Sequence, residues 1–129
     1  MDFSINFIYD EAMDKPFDIK EARENLAKKE HSEQESFERQ RRDIMVRTLS
    51  ILKDFFKEKE IEVFLVGSLT LPGKFTPNSD IDIVLKNFHG DRFEVWAELE
   101  RQIGRKVEII LYEKCTFQDH VDEYGIKVI

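Results

Sequence analysis

Residues 66–85 read VGSLTLPGKFTPNSDIDIVL, and how this stretch divides decides the fold. It opens inside the apolar run EVFLVGS (62–68) and closes inside a second run, DIDIVLK (80–86). Both are rich in β-branched residues and bounded by glycine, proline and asparagine, so both are read as strands. Pro72 and Pro77 break regular structure between them. Residues two apart on a strand share a face. Asp80 and Asp82 therefore project together, with Ile81 and Ile83 pointing into the core behind them. Two carboxylates that close repel each other unless something positive lies between them.

Working outward, RKVEIILYE (105–113) reads as a third apolar strand with Glu108 in its middle. Asp91 is placed to cap a helix over about 93–102, with Phe93, Trp96, Ala97 and Ile103 at helical spacing and Gly104 as its stop. TFQDHVDEYG (116–125) predicts a last short helix with Thr116 at its cap and Gly125 at its end, and IKVI (126–129) a brief fourth strand. Upstream, Ile44, Met45, Leu49, Leu52, Phe55 and Phe56 form a helical apolar stripe ending near Lys59. Phe55, Phe56 and Trp96 are assigned to the core, and Cys115 is read as a small buried hydrophobe. The expected fold is α/β (α+β): a small mixed sheet with helices mainly on one face and a long N-terminal helical extension.

Residues 1–43 differ in texture from 44–129. FSINFIY (3–9) alternates Phe3, Ile5 and Phe7, which reads either as an arm that pairs with a sheet edge or as a loosely ordered terminus. From Asp18, a capping residue with Glu21 three positions on, the pattern becomes a charge-dense helix with few apolar residues. Its basic cluster of Arg39, Arg41 and Arg42 sits among acids and is read as a solvated face, the alternative being contact with an anionic ligand. The division is thus an arm and charged helix over 1–43 and a domain over 44–129.

The composition narrows the function classes. At 129 residues, 41% hydrophobic and with eleven phenylalanines, the chain carries enough apolar material for one core. A net charge of −7 and a pI of about 5.0 argue against general nucleic-acid binding. Cys115 is alone, so neither an intramolecular disulfide nor a cysteine metal site is expected. The first residues lack the basic start and apolar run of a signal peptide, and no apolar stretch approaches the length that spans a bilayer. The expected setting is cytoplasmic. His31, His89 and His120 show no ligand spacing.

If the second and third strands neighbour each other, Asp80, Asp82 and Glu108 converge, a donor set that suits a hard divalent ion such as Mg²⁺. The alternatives are a solvent-facing turn for the aspartates and an exposed edge-strand glutamate for Glu108. Gly67-Ser68, at the end of the preceding strand, presents N–H groups and a hydroxyl to an anion. Ser68 serves equally as a helix cap. Joined to Ser79-Asp80-Ile81-Asp82, it becomes the phosphate end of a site whose other end is metal.

A strand ending in Gly67-Ser68, a connection, then Ser79-Asp80-Ile81-Asp82 resembles the pattern of the DNA polymerase β-type nucleotidyltransferase superfamily. The small size and Glu108 within VEIILYE are similar to its minimal nucleotidyltransferase branch, which includes MntA-type antitoxins paired with HEPN-domain toxins. The resemblance runs from about Ile44 to the C-terminus. It implies that Ser68 holds a nucleotide's terminal phosphates, that Asp80 and Asp82 bind two Mg²⁺ ions, and that Glu108 completes the second metal site and helps activate an acceptor hydroxyl. Leu69 and Leu71 stand where many minimal members carry an arginine, which leaves Lys74 to supply the phosphate-binding charge. The implied reaction moves a nucleoside monophosphate, AMP from ATP, to a hydroxyl of a protein or small molecule, with a HEPN-type toxin as a candidate partner. A catalytically degenerate binding module, or an oligomer built through the N-terminal arm, is the rival expectation.

Overall fold

Two apolar strands pair antiparallel to form the centre of the sheet, and the second half of a long helix packs on one of its faces. The computed structural model describes residues 9–10, 15–16 and 18–129; the alternation at Phe3, Ile5 and Phe7 lies outside them. The chain divides into two units, with the boundary after Ser36. In the first, β1 (Tyr9–Asp10) pairs antiparallel with β2 (Lys15–Pro16). Helix α1 (Ile19–Phe56) begins there, and the Asp18 carboxylate accepts from Lys20 N–H at 2.9 Å as the capping pattern predicts. Most of its residues up to Ser36 are exposed, as the scarcity of apolar positions requires.

The second unit, 37–129, holds a four-stranded mixed sheet in the order β5–β4–β3–β6. Its strands are β3 (Glu62–Val66), β4 (Ile81–Lys86), β5 (Val107–Leu111) and β6 (Ile126–Lys127). β4 runs antiparallel to β3 and parallel to β5, and β6 closes on the far side of β3. A parallel neighbour needs a crossover. Helix α2 (Arg92–Ile103) supplies it, with Asp91 accepting from Phe93 N–H at 2.9 Å and Gly104 ending it at φ 76°. These caps follow from local backbone chemistry and match the sequence reading.

Strand alternation separates two apolar layers. Val63, Leu65, Ile81, Ile83, Leu85, Val107 and Ile109 face one way and pack with Leu52 and Phe56 of α1 and Val95, Leu99 and Ile103 of α2. Full burial of each such side chain contributes about 1.5–3 kcal/mol. Phe64, Val66 and Val84 face the other way, against Val121 of α3 (Gln118–Tyr124). Two helices cover one face and a short one covers part of the other.

Three local expectations are corrected. Trp96 is not core: it is 39% exposed, and Phe93 is 79% exposed. The buried stripe of α2 is Val95, Leu99 and Ile103, because the sheet lies under that i, i+4, i+8 row. Thr116 does not cap α3, which starts at Gln118 after Phe117 with no side-chain cap. Arg41 is not on a solvated face: it is buried at the start of the stripe that continues through Thr48, Leu52 and Phe56. Among the described residues no helix is long and apolar enough to cross a membrane.

Candidate active site

Two strand pairings bring separate motifs together. In the antiparallel ladder Val66 lies opposite Asp82, so Gly67 and Ser68 leave β3 beside the start of β4. In the parallel ladder Asp82 lies opposite Glu108, and on matched registers both side chains take the face away from α1 and α2. Asp80 sits one residue before β4, partly buried, two positions from Asp82. α3 reaches Val84 on this face, while Glu108 is left exposed.

Gly67 shows how close the approach is. It holds φ 80°, and a Cβ there would land on the Asp82 carboxylate, with Asp82 Cγ only 3.2 Å away. Only glycine combines that backbone conformation with that proximity. Ser68 begins a 3₁₀ turn, Ser68–Thr70, in which the Thr70 and Leu71 N–H groups donate to the Gly67 and Ser68 carbonyl oxygens at 3.1 Å each.

The Asp82 carboxyl is pushed up to about 6, first by burial, then by the charge of Glu108 and a hydrogen bond with it, and last by the charge of Asp80. The ion pairs among the described residues join other groups and leave these three carboxylates without a cationic side chain. The cluster is thus short of positive charge and rich in hard oxygen donors, which fits a divalent cation. As they stand, no three His, Cys, Asp or Glu side chains among the described residues are close enough together to enclose a metal ion. Asp82 and Glu108 form the intimate pair, and Asp80 is carried by the connection entering β4.

The other sequence-selected residues lie along that connection. Lys74 is exposed on a turn whose N–H donates to the Leu71 carbonyl at 3.2 Å. Ser79 Oγ accepts from Thr76 N–H at 2.9 Å and lies 3.2 Å from Thr76 Oγ1, so its hydroxyl helps close the turn before Asp80.

Sequence reasoning missed the roles of Arg105, Phe93 and Trp96. Arg105 Nη2 donates to the carbonyls of Pro77 at 3.0 Å and Ser79 at 3.2 Å, and its guanidinium lies 4.8 Å from the Phe75 ring centre. It fastens the segment that delivers Asp80. Phe93 and Trp96, with Arg92, line a cleft of about 460 Å³ whose other wall is Val107, Glu108 and Ile109. Trp96 Nε1 donates to the Val107 carbonyl at 2.9 Å and so sets that wall. In the sequence the i, i+4, i+8 row of Val95, Leu99 and Ile103 competes with the row through Phe93 and Trp96, and the sheet beneath α2 decides between them.

The glycine turn and the paired carboxylates thus lie together at one end of a small mixed sheet. The family model for the nucleotidyltransferase domain matches residues 45–124, more than half of the chain, and the chain belongs to that family. The match covers Gly67, Ser68, Asp80, Asp82 and Glu108 alike. No curated protein matches the chain.

Proposed function

We propose that this domain transfers a nucleoside monophosphate, AMP from ATP, to a hydroxyl of a protein or small-molecule acceptor in the presence of Mg²⁺. What carries the reading is the contact between Gly67 and Asp82: the turn that would receive phosphates abuts the carboxylates that would receive metal. Asp80, Asp82 and Glu108 are the residues to hold a divalent ion, and Gly67 and Ser68, with Lys74, are those to receive the triphosphate. Such an ion would supply stabilisation of the charge that develops on the transferring phosphate and leaving oxygens.

In this reading an acceptor hydroxyl enters through the cleft at the edge of β5, where Glu108 forms part of the wall. Glu108 orients that hydroxyl and takes its proton as the new O–P bond forms at the α-phosphorus. The bond to pyrophosphate breaks in line with the attack. The protein's part is positioning and electrostatics. The acceptor cleft is open and small, so a partner protein completes it or is itself the acceptor. The resemblance to antitoxins makes a HEPN-type toxin the first partner to test.

Calorimetric titration with each nucleoside triphosphate, with and without Mg²⁺, tests the site. Metal-dependent binding, with ATP preferred, is the expected result, and Asp82→Asn should weaken it at least tenfold by removing a charged ligand. Equal binding by the variant would overturn the site assignment.

The cleft makes a separate prediction. Phe93→Ala should leave nucleotide affinity unchanged and raise the KM for acceptor by about tenfold, as loss of one aromatic contact does. Because Phe93 is 79% exposed, its thermal midpoint should stay near wild type. Unaltered acceptor kinetics would place acceptor binding elsewhere.

The rival reading, a binding module without turnover, draws on Leu69 and Leu71 in the connection, where neither side chain can offer charge to a phosphate. It predicts nucleotide binding without transfer to any acceptor supplied.

A further inference from the structure

The connection from Gly67 to Asp80 contains no arginine, and Lys74 is its one basic residue. An arginine nevertheless reaches it from α1. Arg41 is 8% exposed and its Nη1 donates to the Leu69 carbonyl at 3.0 Å. Its Nε donates to Glu38 Oε2 at 3.2 Å, and the other Glu38 oxygen accepts from Gly73 N–H at 2.5 Å. One ion pair, spanning one turn of α1, therefore grips the connection at a carbonyl and at an amide four residues apart. The Gly73 N–H, and then Arg41, hold the Glu38 carboxyl below its ordinary range against an opposing effect of burial.

The position of Arg41 sharpens the point. It occupies the same helix face as Thr48, Leu52 and Phe56, where an apolar residue would meet no desolvation penalty. Burying a guanidinium there is costly unless its donors are paired, as those of Arg41 are with Glu38 and the Leu69 carbonyl. One of those bonds ends on Leu69, which directly follows Gly67 and Ser68, and another on Glu38, which in turn holds Gly73. Elsewhere the segment is held by short turn bonds, such as Lys74 N–H to the Leu71 carbonyl at 3.2 Å, and at its far end by Arg105 on the Pro77 and Ser79 carbonyls.

We propose that Arg41, acting with Glu38, is a positioning residue for the nucleotide: it holds Leu69–Gly73 in the conformation that presents Gly67 and Ser68 to the phosphates. The inference rests on the nucleotide-binding reading above and adds the residue that makes the turn competent. A merely structural arginine would affect stability alone; a positioning one also affects affinity for the triphosphate.

The test uses the full chain as wild type, Arg41→Met and Arg41→Lys. Three quantities are read: affinity for Mg²⁺·ATP, affinity for Mn²⁺ alone, and amide exchange. Arg41→Met should weaken ATP binding about tenfold, the effect of losing a charge-assisted contact. It should leave Mn²⁺ binding unchanged and speed exchange at amides 70–74 without altering β3 or β4. Arg41→Lys, which can reach one partner but not fork between two, should fall in between. Wild-type affinity for ATP in both variants would overturn the proposal and leave the nucleotide reading standing. If wild type itself binds no nucleotide, both fall together. Should Arg41→Met fail to fold, Arg41→Lys decides by the same criteria.

Discussion

Asp82→Asn should fold normally and lose nucleotidyl transfer by roughly a thousandfold or more, the scale for removing one preorganised charge from a phosphoryl-transfer site. Asp80→Asn should behave alike. Both are read by following pyrophosphate release at saturating ATP with circular dichroism as the folding control. Full activity in either variant would remove that residue from the site.

The same substitution carries a stability signature that does not depend on any acceptor. The Asp82 carboxyl ordinarily ionises near 3.8 and here near 6, because burial and two neighbouring carboxylates disfavour its charged form. Between those values the folded protein keeps a proton that the unfolded chain has released. Stability therefore declines as pH rises from about 4 to about 6, and the loss persists above that window. Two units would correspond to about 3 kcal/mol. Solvent reaches part of this side chain, so the expected effect is nearer 1 kcal/mol. In metal-free buffer at pH 8, Asp82→Asn should melt a few degrees above wild type, and at pH 4 the two should coincide. Parallel melting curves for the two proteins across pH would show that Asp82 is not strained by its neighbours.

Gly67→Ala should be the most damaging single change outside the carboxylates. Its backbone lies at φ 80°, and the added methyl would occupy the place of an Asp82 carboxylate oxygen. Either the turn moves or Asp82 swings away, and both outcomes separate the phosphate end from the metal end. The expected cost is about 2–3 kcal/mol in stability, together with loss of measurable ATP binding. Gly73→Ala is the control, since Gly73 has φ 78° but nothing within 4 Å of its added carbon. It should cost only the conformational part, about 1 kcal/mol. Equal penalties for the two in chemical denaturation would mean that the contact with Asp82 does not constrain the turn.

Much of the local structure was legible without coordinates. Asp18, Asp91 and Gly104 mark helix ends because capping depends on backbone groups two to four residues away. Strand alternation singled out Asp82 on β4, whereas Asp80 was read as part of the same strand and lies one residue before it. Phe93 and Trp96 misled because apolar spacing on α2 supports more than one stripe, and only the underlying sheet chooses between them. Thr116 looked like a cap, yet α3 starts two residues later, where packing of Val121 against Phe64, Val66 and Val84 sets its place.

The sequence by itself determined the strands of the four-stranded sheet and the glycine turn between two of them, since those follow from backbone sterics and apolar patterning. It did not determine that Glu108 would stand opposite Asp82, that Gly67 would touch the same carboxylate, or that Arg41 would reach across to Leu69. Those are long-range facts. They depend on an antiparallel register on one side of β4, a parallel one on the other, and the burial of α1 against the sheet. A one-residue slip in either register would send these side chains to the opposite face, and no neighbour in sequence records which register is taken.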